Sequence, residues 1–485
     1  MFNYFTFKRL SHISIFFIAI LLGSFNGFAQ EKWDLQKCLD YATANNVVLK
    51  IAGLPQQSNQ ANLVQSQMQL FPTLNAGGGQ GYQFGRNIDP FTNQFTNDPV
   101  RTNNFFLSTN VTLFNGFRQM NTIKQNKAIL EASKYDYDQA RNDMYLSLVN
   151  AYIQVIFNQE LLGVARFQLE NTQNQLDRVL KQIEAGSAAE VAKYDLLSQK
   201  ANNEVQITNA ENNLAFAILQ LKQILQIPMN QPFDVVIPQI PEPSEDALVQ
   251  TPEAIWQIAE GNLPNIKSAD LNIKASEIGV DIAKSNAYPT LSANAQVLSG
   301  YSSQGVIRNV VDGGTRTQVI GFVTGSPSQT VSTILPVTNI NIERNPWGSQ
   351  VSENLRQSVG INLNIPIFNN LRAKNSVALS RVQLDRNKLQ AQNIRNQVRQ
   401  TIEQAYNSAK AASRTYASNK IRVNSLTETF KVQEQRLQVG AGNSFDYAIA
   451  RNNLNIAQSD LIRSKYDFVF RMKILDFYEG KPITL

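Results

Sequence analysis

Two proline-free stretches constrain this chain more than any other feature of it. No proline occurs between Pro99 and Pro228, or between Pro366 and Pro482. Both stretches are rich in Gln, Ala, Leu, Lys, Arg and Glu, residues that favour helix. Apart from residues at the strand ends, glycine is confined to Gly116, Gly163 and Gly186 in the first and to Gly440, Gly442 and Gly480 in the second. The pattern predicts helices over 118–185 and 371–439, each of about 70 residues and about 100 Å at 1.5 Å per residue. Ordinary globular helices are far shorter.

The side-chain pattern within the first stretch says how such a helix would be covered. Tyr145, Leu148, Tyr152, Val155 and Leu162 follow a 3-4-3-7 spacing, a coiled-coil seam. Val149, Ile153 and Ile156 form a second apolar stripe beside it. Two adjacent stripes imply neighbours on both sides, as in a bundle or ring. A solvated antiparallel hairpin would show a similar pattern.

The chain also repeats itself. Ala42 precedes Pro72 by the same 30 residues that separate Ala259 from Pro289, and both prolines lie in an aromatic-Pro-Thr-Leu sequence. Asn45 and Asn262 match at the same offset. Further on, Phe114 pairs with Phe368 and Gly186 with Gly440, both at an offset of 254. Each half therefore reads helix, strand, loop, strand, very long helix, turn, helix. The expected division is a first repeat over 30–227, a Pro-rich linker or peripheral segment over 228–250 and a second repeat over 251–485. The extra residues of the second repeat must lie in 302–355, rich in Gly, Ser, Thr, Asn and Pro, which reads as a long surface loop.

Four segments alternate as strands. In 105–113, Phe105, Leu107, Thr109, Val111 and Leu113 oppose Phe106, Ser108, Asn110 and Thr112. The runs 290–301 and 358–367 alternate as cleanly, and glycine-rich 73–84 keeps the parity at Leu74, Ala76, Tyr82 and Phe84. Strands of about ten residues, apolar on one face and small or polar on the other, match an outer-membrane barrel. A half-buried sheet of a secreted sandwich would alternate too. Four strands cannot close a membrane barrel alone, so several chains would have to share it.

Export is legible at the N-terminus. Lys8 and Arg9, the apolar run from Ile13 to Leu22, and small residues at Gly27 and Ala29 compose a signal peptide over 1–29. Its removal takes away His12, the only histidine, and lowers the net charge from +6. Cys38 is the only cysteine and reads as a small apolar residue on an amphipathic helix. Without histidine and with one cysteine, the usual zinc sites and Ser-His-Asp or Cys-His catalysts cannot be assembled. The mild basic excess forms no cluster that would mark a nucleic-acid surface. Enzyme function, cofactor and metal are therefore not expected. A periplasmic adaptor or structural coiled-coil protein of an export system is the competing reading, though such a protein would carry one hairpin and not two.

Taken in order, the duplicated Ala-x-x-Asn helix starts, the strand entries at Pro72 and Pro289, the Leu-Phe-Asn-Gly-Phe-Arg strand exit at 113–118, and the Val-Gly turn followed by Asp at 439–446 resemble the TolC-type outer membrane efflux family. The resemblance covers about 31–481. It implies a membrane α+β fold: a homotrimer giving four strands per chain to a twelve-stranded outer-membrane β-barrel, continued by a long periplasmic α-helical barrel. It implies an exit duct of a tripartite efflux or type I secretion system, working with a periplasmic adaptor and an inner-membrane pump of RND or ABC type, in contact with outer-membrane lipid. The Pro-rich stretch and the chain end near 481 would form a belt around the tunnel. The turns at Gly186, Gly440 and Gly442 would be the periplasmic tip that meets the adaptor. Asp446 matches an acidic residue that lines the narrowest point, with Asp195 as a second candidate. Asp446 would also sit in the first turn of a helix capped by Asn443 or Ser444, where it favours the dipole; Asp195 would act similarly. The family's second acidic position is Ile449 here, and its gating arginine is Gly442. Asp195 lies nine residues past Gly186, not six, which reads as a three-residue insertion in the first turn.

Overall fold

A computed structural model of the chain describes residues 32–238 and 250–481. The expected signal peptide over 1–29 lies outside the described residues, as does most of the Pro-rich stretch.

The duplication is visible as helices of matched length. The first repeat carries α1 (Leu35–Asn45), α2 (Val47–Met68), α3 (Arg118–Glu184) and α4 (Val191–Leu225). The second carries α5 (Pro252–Asn262), α6 (Pro264–Lys284), α8 (Arg372–Gln438) and α9 (Ser444–Tyr478). Paired lengths are 11 and 11, 22 and 21, 67 and 67, and 35 and 35 residues. The long helices thus match their expected spans to within a residue or so. Both repeats start the same way. The Asp34 carboxylate caps α1 by accepting from Lys37 N–H at 2.7 Å, and the Thr251 hydroxyl caps α5 by accepting from Ala254 N–H at 3.3 Å. The Ala-x-x-Asn motif marks a break: Ala42 and Ala259 are fully buried, and their carbonyls accept the N–H that ends each short helix.

Between the helices run β1 (Thr73–Gln83), β4 (Val100–Phe114), β5 (Thr290–Ser302) and β8 (Arg356–Asn364). The short strands β2 (Asn87–Ile88) and β3 (Phe95–Thr96) pair within the β1–β4 loop. The four long strands form one antiparallel sheet in the order β1-β4-β5-β8, leaving β1 and β8 with one neighbour each. Register carries the two expected faces across all four strands as far as Thr112, where a bulge sets Phe114 in place of the expected Leu113 opposite Leu291. Leu74, Thr109, Ala295 and Val359 lie in one cross-strand row. Asn75, Ser108, Gln296 and Ser358 lie in a row of the other face. On the apolar face Val359, Ile361 and Leu363 stand 61–85% exposed. The last strand ends at Asn364, short of the expected 367.

One expectation is corrected here. Segment 302–355 is not an irregular loop. It folds as a β-hairpin, β6 (Val306–Val323) against β7 (Ser326–Arg344), followed by a short helix α7 (Trp347–Glu353). Its Val, Ile and Thr residues recur at strand spacing, a signal stronger than the Gly and Ser content that suggested loop. The described part of the Pro-rich stretch packs against the helices. Val235 forms a parallel bridge with Trp33, and Phe233 and Val235 are buried beside α1 and α3.

The described chain divides into two compact units that do not coincide with the repeats. Residues 61–127 and 274–384 form one unit, which contains all the strands. The other unit comprises the remaining helical segments of both repeats. Its core has two related halves. In the first, Leu148, Tyr152 and Val155 of the predicted α3 seam and its second stripe (Val149, Ile153 and Ile156) are all within 1% of full burial, while Leu162 is 8% exposed and Tyr145 partly buried. They pack with Leu35, Cys38 and Leu39 of α1 and Leu221 and Leu225 of α4. In the second half, Ile255 and Trp256 of α5 pack with Ile402 of α8 and Leu475 of α9. Among the described residues no helix is long and apolar enough to cross a membrane.

Candidate functional site

The two turns between long and return helices end their helices identically. At Gly186, φ is +70°, and at Gly440 it is +71°. In each, the glycine N–H reaches back to the carbonyl three residues earlier, Ile183 or Leu437, while the following N–H reaches that of Gln182 or Arg436. This is a Schellman closure, which needs the left-handed region at one residue and so selects glycine.

Past the glycines the turns diverge. Connection 439–443 is one residue shorter than 185–190, so the difference is one residue and not the expected three. Gly442 approaches the chain behind it closely: a Cβ there would lie 2.8 Å from Leu437 N and 3.0 Å from the Arg436 carbonyl carbon. An arginine at this position would displace the turn. Asn443 caps α9, its side-chain oxygen accepting from Phe445 N–H at 2.6 Å and from Asp446 N–H at 3.3 Å. Asp446 is exposed in the first turn of α9, where its charge favours the helix dipole. The first turn lacks this arrangement. Glu190 precedes α4 in helical conformation with no side-chain cap, and no acidic residue lies in the first turn of the helix. Asp195 is exposed but one turn further in, so its expected capping role is not realised. Among the described residues neither aspartate forms an ion pair, with the other or with any cation.

A polar cluster that sequence reasoning missed joins the hairpins of the two repeats. Arg451 of α9 is 6% exposed. It donates to Gln175 Oε1 at 2.7 Å and to Thr172 Oγ1 at 3.1 Å, both on α3. Asn203 of α4 donates to the same threonine oxygen at 2.7 Å, and the Gln175 amide donates to the Tyr447 hydroxyl. The guanidinium lies 6.0 Å from the Tyr447 ring. No carboxylate pairs with Arg451 among the described residues, and its Nε has no acceptor. Burial lowers the pKa of Arg451 and raises that of Tyr447. The signal was present: Tyr447, Ala450, Leu454 and Ala457 form a buried 3-4-3 stripe, and Arg451 is a charge set inside it.

An open-edged sheet with an apolar face in one unit, and duplicated long helical hairpins in the other, are the features of an outer-membrane protein class. The family description "Outer membrane efflux protein" matches residues 38–225 and 255–470. The chain belongs to this family, and its place is the outer membrane. It is similar to the Pyoverdine export outer membrane protein OpmQ of Pseudomonas aeruginosa, 25% identical over 173 residues and 35% of each chain. It is 24% identical over 276 residues to the probable outer membrane lipoprotein SilC of Salmonella typhimurium, covering 56% of this chain and 55% of SilC. The chain thus spans about a third to a half of the length of these curated relatives. The crystal structure of the outer membrane protein VceC from Vibrio cholerae shares the fold, with a TM-score of 0.69 at 12% identity, over 93% of this chain and 97% of that one.

Proposed function

We propose that three copies of this chain close a twelve-stranded barrel and act as the passive exit duct of a tripartite efflux or type I secretion system. The observation that carries the reading is the sheet. Its apolar face continues in register across four strands, yet β1 and β8 both present open edges. An open edge in lipid leaves backbone groups unpaired at several kcal/mol each, whereas edge-to-edge closure among copies satisfies them. The long helices of both repeats would extend the barrel through the periplasm to meet an adaptor and an inner-membrane pump of RND or ABC type. Contact with the adaptor would fall at the turns of Gly186, Gly440 and Gly442, and Asp446 would face the narrowest point, with Asp195 further from it. With Gly442 at the family's arginine position, the hairpins are held instead by the Arg451 cluster.

The test is fractionation, native oligomer analysis and bilayer recording of the full chain. The expected outcome is an outer-membrane protein migrating as a heat-modifiable trimer and conducting poorly until adaptor is added. A monomer in detergent, silent in bilayers even with adaptor, would overturn the proposal.

A further inference from the structure

The β6–β7 hairpin occurs in the second repeat only; the matching connection of the first repeat holds just the two-residue strands β2 and β3. It is a two-stranded ribbon with both outer edges unpaired among the described residues. Its faces differ. Cross-strand pairs Val310–Ile340, Arg308–Ile342, Thr317–Ile334 and Val319–Ser332 lie on one face. Asn309–Asn341, Val311–Asn339 and Gln318–Thr333 lie on the other. A one-residue bulge after Asp312 brings Val319 onto the same face as Val310, while Ile307 and Val311 stay on the other. There Val310, Val319, Ile334, Ile340 and Ile342 are all at least half exposed. An isolated two-stranded ribbon is marginal in water, so this face requires a cover.

The arm is not a loose tether. At its root Asn345 N–H donates to the Gly305 carbonyl at 3.0 Å. The Gln350 side chain accepts from Ser302 N–H at 3.0 Å and donates to the carbonyls of Ser302 and Asn345 at 2.9 and 2.8 Å. The Ser302 hydroxyl donates to Asp89, a fully buried carboxylate that also accepts from the N–H groups of Phe91 and Thr92. Loops of both repeats thus clamp the arm at the end of the sheet opposite its helix connections.

We propose that the β6–β7 arms of copies sharing the barrel pack apolar face to apolar face, as an intersubunit bundle at that end of the sheet. The inference rests on the shared barrel proposed above. The arm leaves β5 and returns into β8, the open edge to which a neighbouring copy must pair, so each arm is rooted one strand from the junction. Every copy supplies the same face, and cyclic symmetry lets each arm cover another with none left over. Lipid cannot cover the whole face. The 18 and 19 residues of β6 and β7 reach about 60 Å at 3.3 Å per residue, and the hydrocarbon layer is about 30 Å thick.

Cysteine scanning tests this in the full chain in outer membranes. The native Cys38 is silent, since it is fully buried and burial pushes its thiol up to about 12. Ile334→Cys, Ile340→Cys and Ile342→Cys probe the apolar face, and Asn341→Cys and Thr333→Cys the polar one. Mild oxidation should give disulfide-linked chains at one or more apolar-face positions, at least tenfold above either polar-face position. Unboiled samples report the barrel oligomer independently. An intact oligomer without crosslinks, with equal crosslinking on both faces, or with crosslinks only to a different protein would overturn the arm bundle while leaving the channel reading intact. Loss of the oligomer in the unsubstituted chain would overturn both.

Discussion

The two repeats agree where their elements are long and part company where they are short. Long helices of 67 residues and return helices of 35 match one for one. The turns between them differ in length, in cap and in charge, and the connections between strands differ by a whole hairpin. A long helix is fixed by the many neighbours along its apolar stripes, whereas a turn answers only to its own backbone. The long helices keep a common length, while the turns diverge. The second turn is the more tightly specified, with a close-packed glycine, a side-chain cap and an acidic first turn.

The largest effect is expected where the second hairpin grips the first. Arg451→Ala removes a buried side chain and leaves Gln175 Oε1 without its donor. A cost of about 3 kcal/mol follows from the unsatisfied amide and the lost packing. Faster limited proteolysis at 185–190 and 439–443, with the barrel oligomer intact, is the readout. Unchanged cleavage would mean that the apolar stripe alone holds the hairpins. Next in size is the contrast between Gly442→Arg and Ala188→Arg, at matching distances past Gly440 and Gly186. The first places a Cβ 2.8 Å from backbone, at about 2 kcal/mol for forced overpacking, whereas Ala188 already carries a Cβ. Equal proteolytic sensitivity of the two variants would erase the asymmetry.

Caps separate the turns more finely. Asn443→Ala should cost about 1 kcal/mol by removing the acceptor of two N–H groups. Glu190→Ala should fall within about 0.5 kcal/mol of zero, as expected of a surface residue that makes no cap bond. Hydrogen exchange of the first-turn amides of α9 and α4 measures both. Faster exchange in α9 alone supports the contrast, and an equal change in both helices defeats it.

Periodicity was sufficient wherever a pattern repeats many times. The α3 seam, both long helices, both faces of the sheet and the Cys38 core position were legible because each belongs to a regular row of like side chains. The arm was missed because composition was weighed over period: Gly, Ser and Pro of 302–355 suggested a loop, though Val310, Ile340 and Ile342 already alternate. The Arg451 cluster was missed for a different reason. Its other members, Thr172, Gln175 and Asn203, lie on two other helices, and only the packing of the hairpins brings neutral groups to a cation that no carboxylate balances among the described residues. The spacing from glycine to aspartate exaggerates the turn difference, because Asp195 lies inside its helix and not at its start. Helix ends, set by caps and Schellman bonds, place the offset at one residue.

The smallest effect distinguishes two roles of one carboxylate. In the folded hairpin, Asp446 lies near the first N–H groups of α9, where its charge is worth about 0.5 kcal/mol and is screened by salt. Asp446→Asn keeps the side chain's size and polarity and removes the charge. If helix capping is its whole contribution, exchange in α9 rises slightly and channel conductance and ion selectivity stay as they were. If the side chain also faces the narrowest point, cation selectivity falls in bilayer recordings, because a ring of three carboxylates would become neutral. Asp195→Asn is the matched control, one turn deeper in α4 and without a first-turn role. A selectivity change at Asp446 and none at Asp195 would place the constriction on the second turn alone. Equal changes at both would mean that the two turns, for all their different caps, contribute alike to the channel's charge.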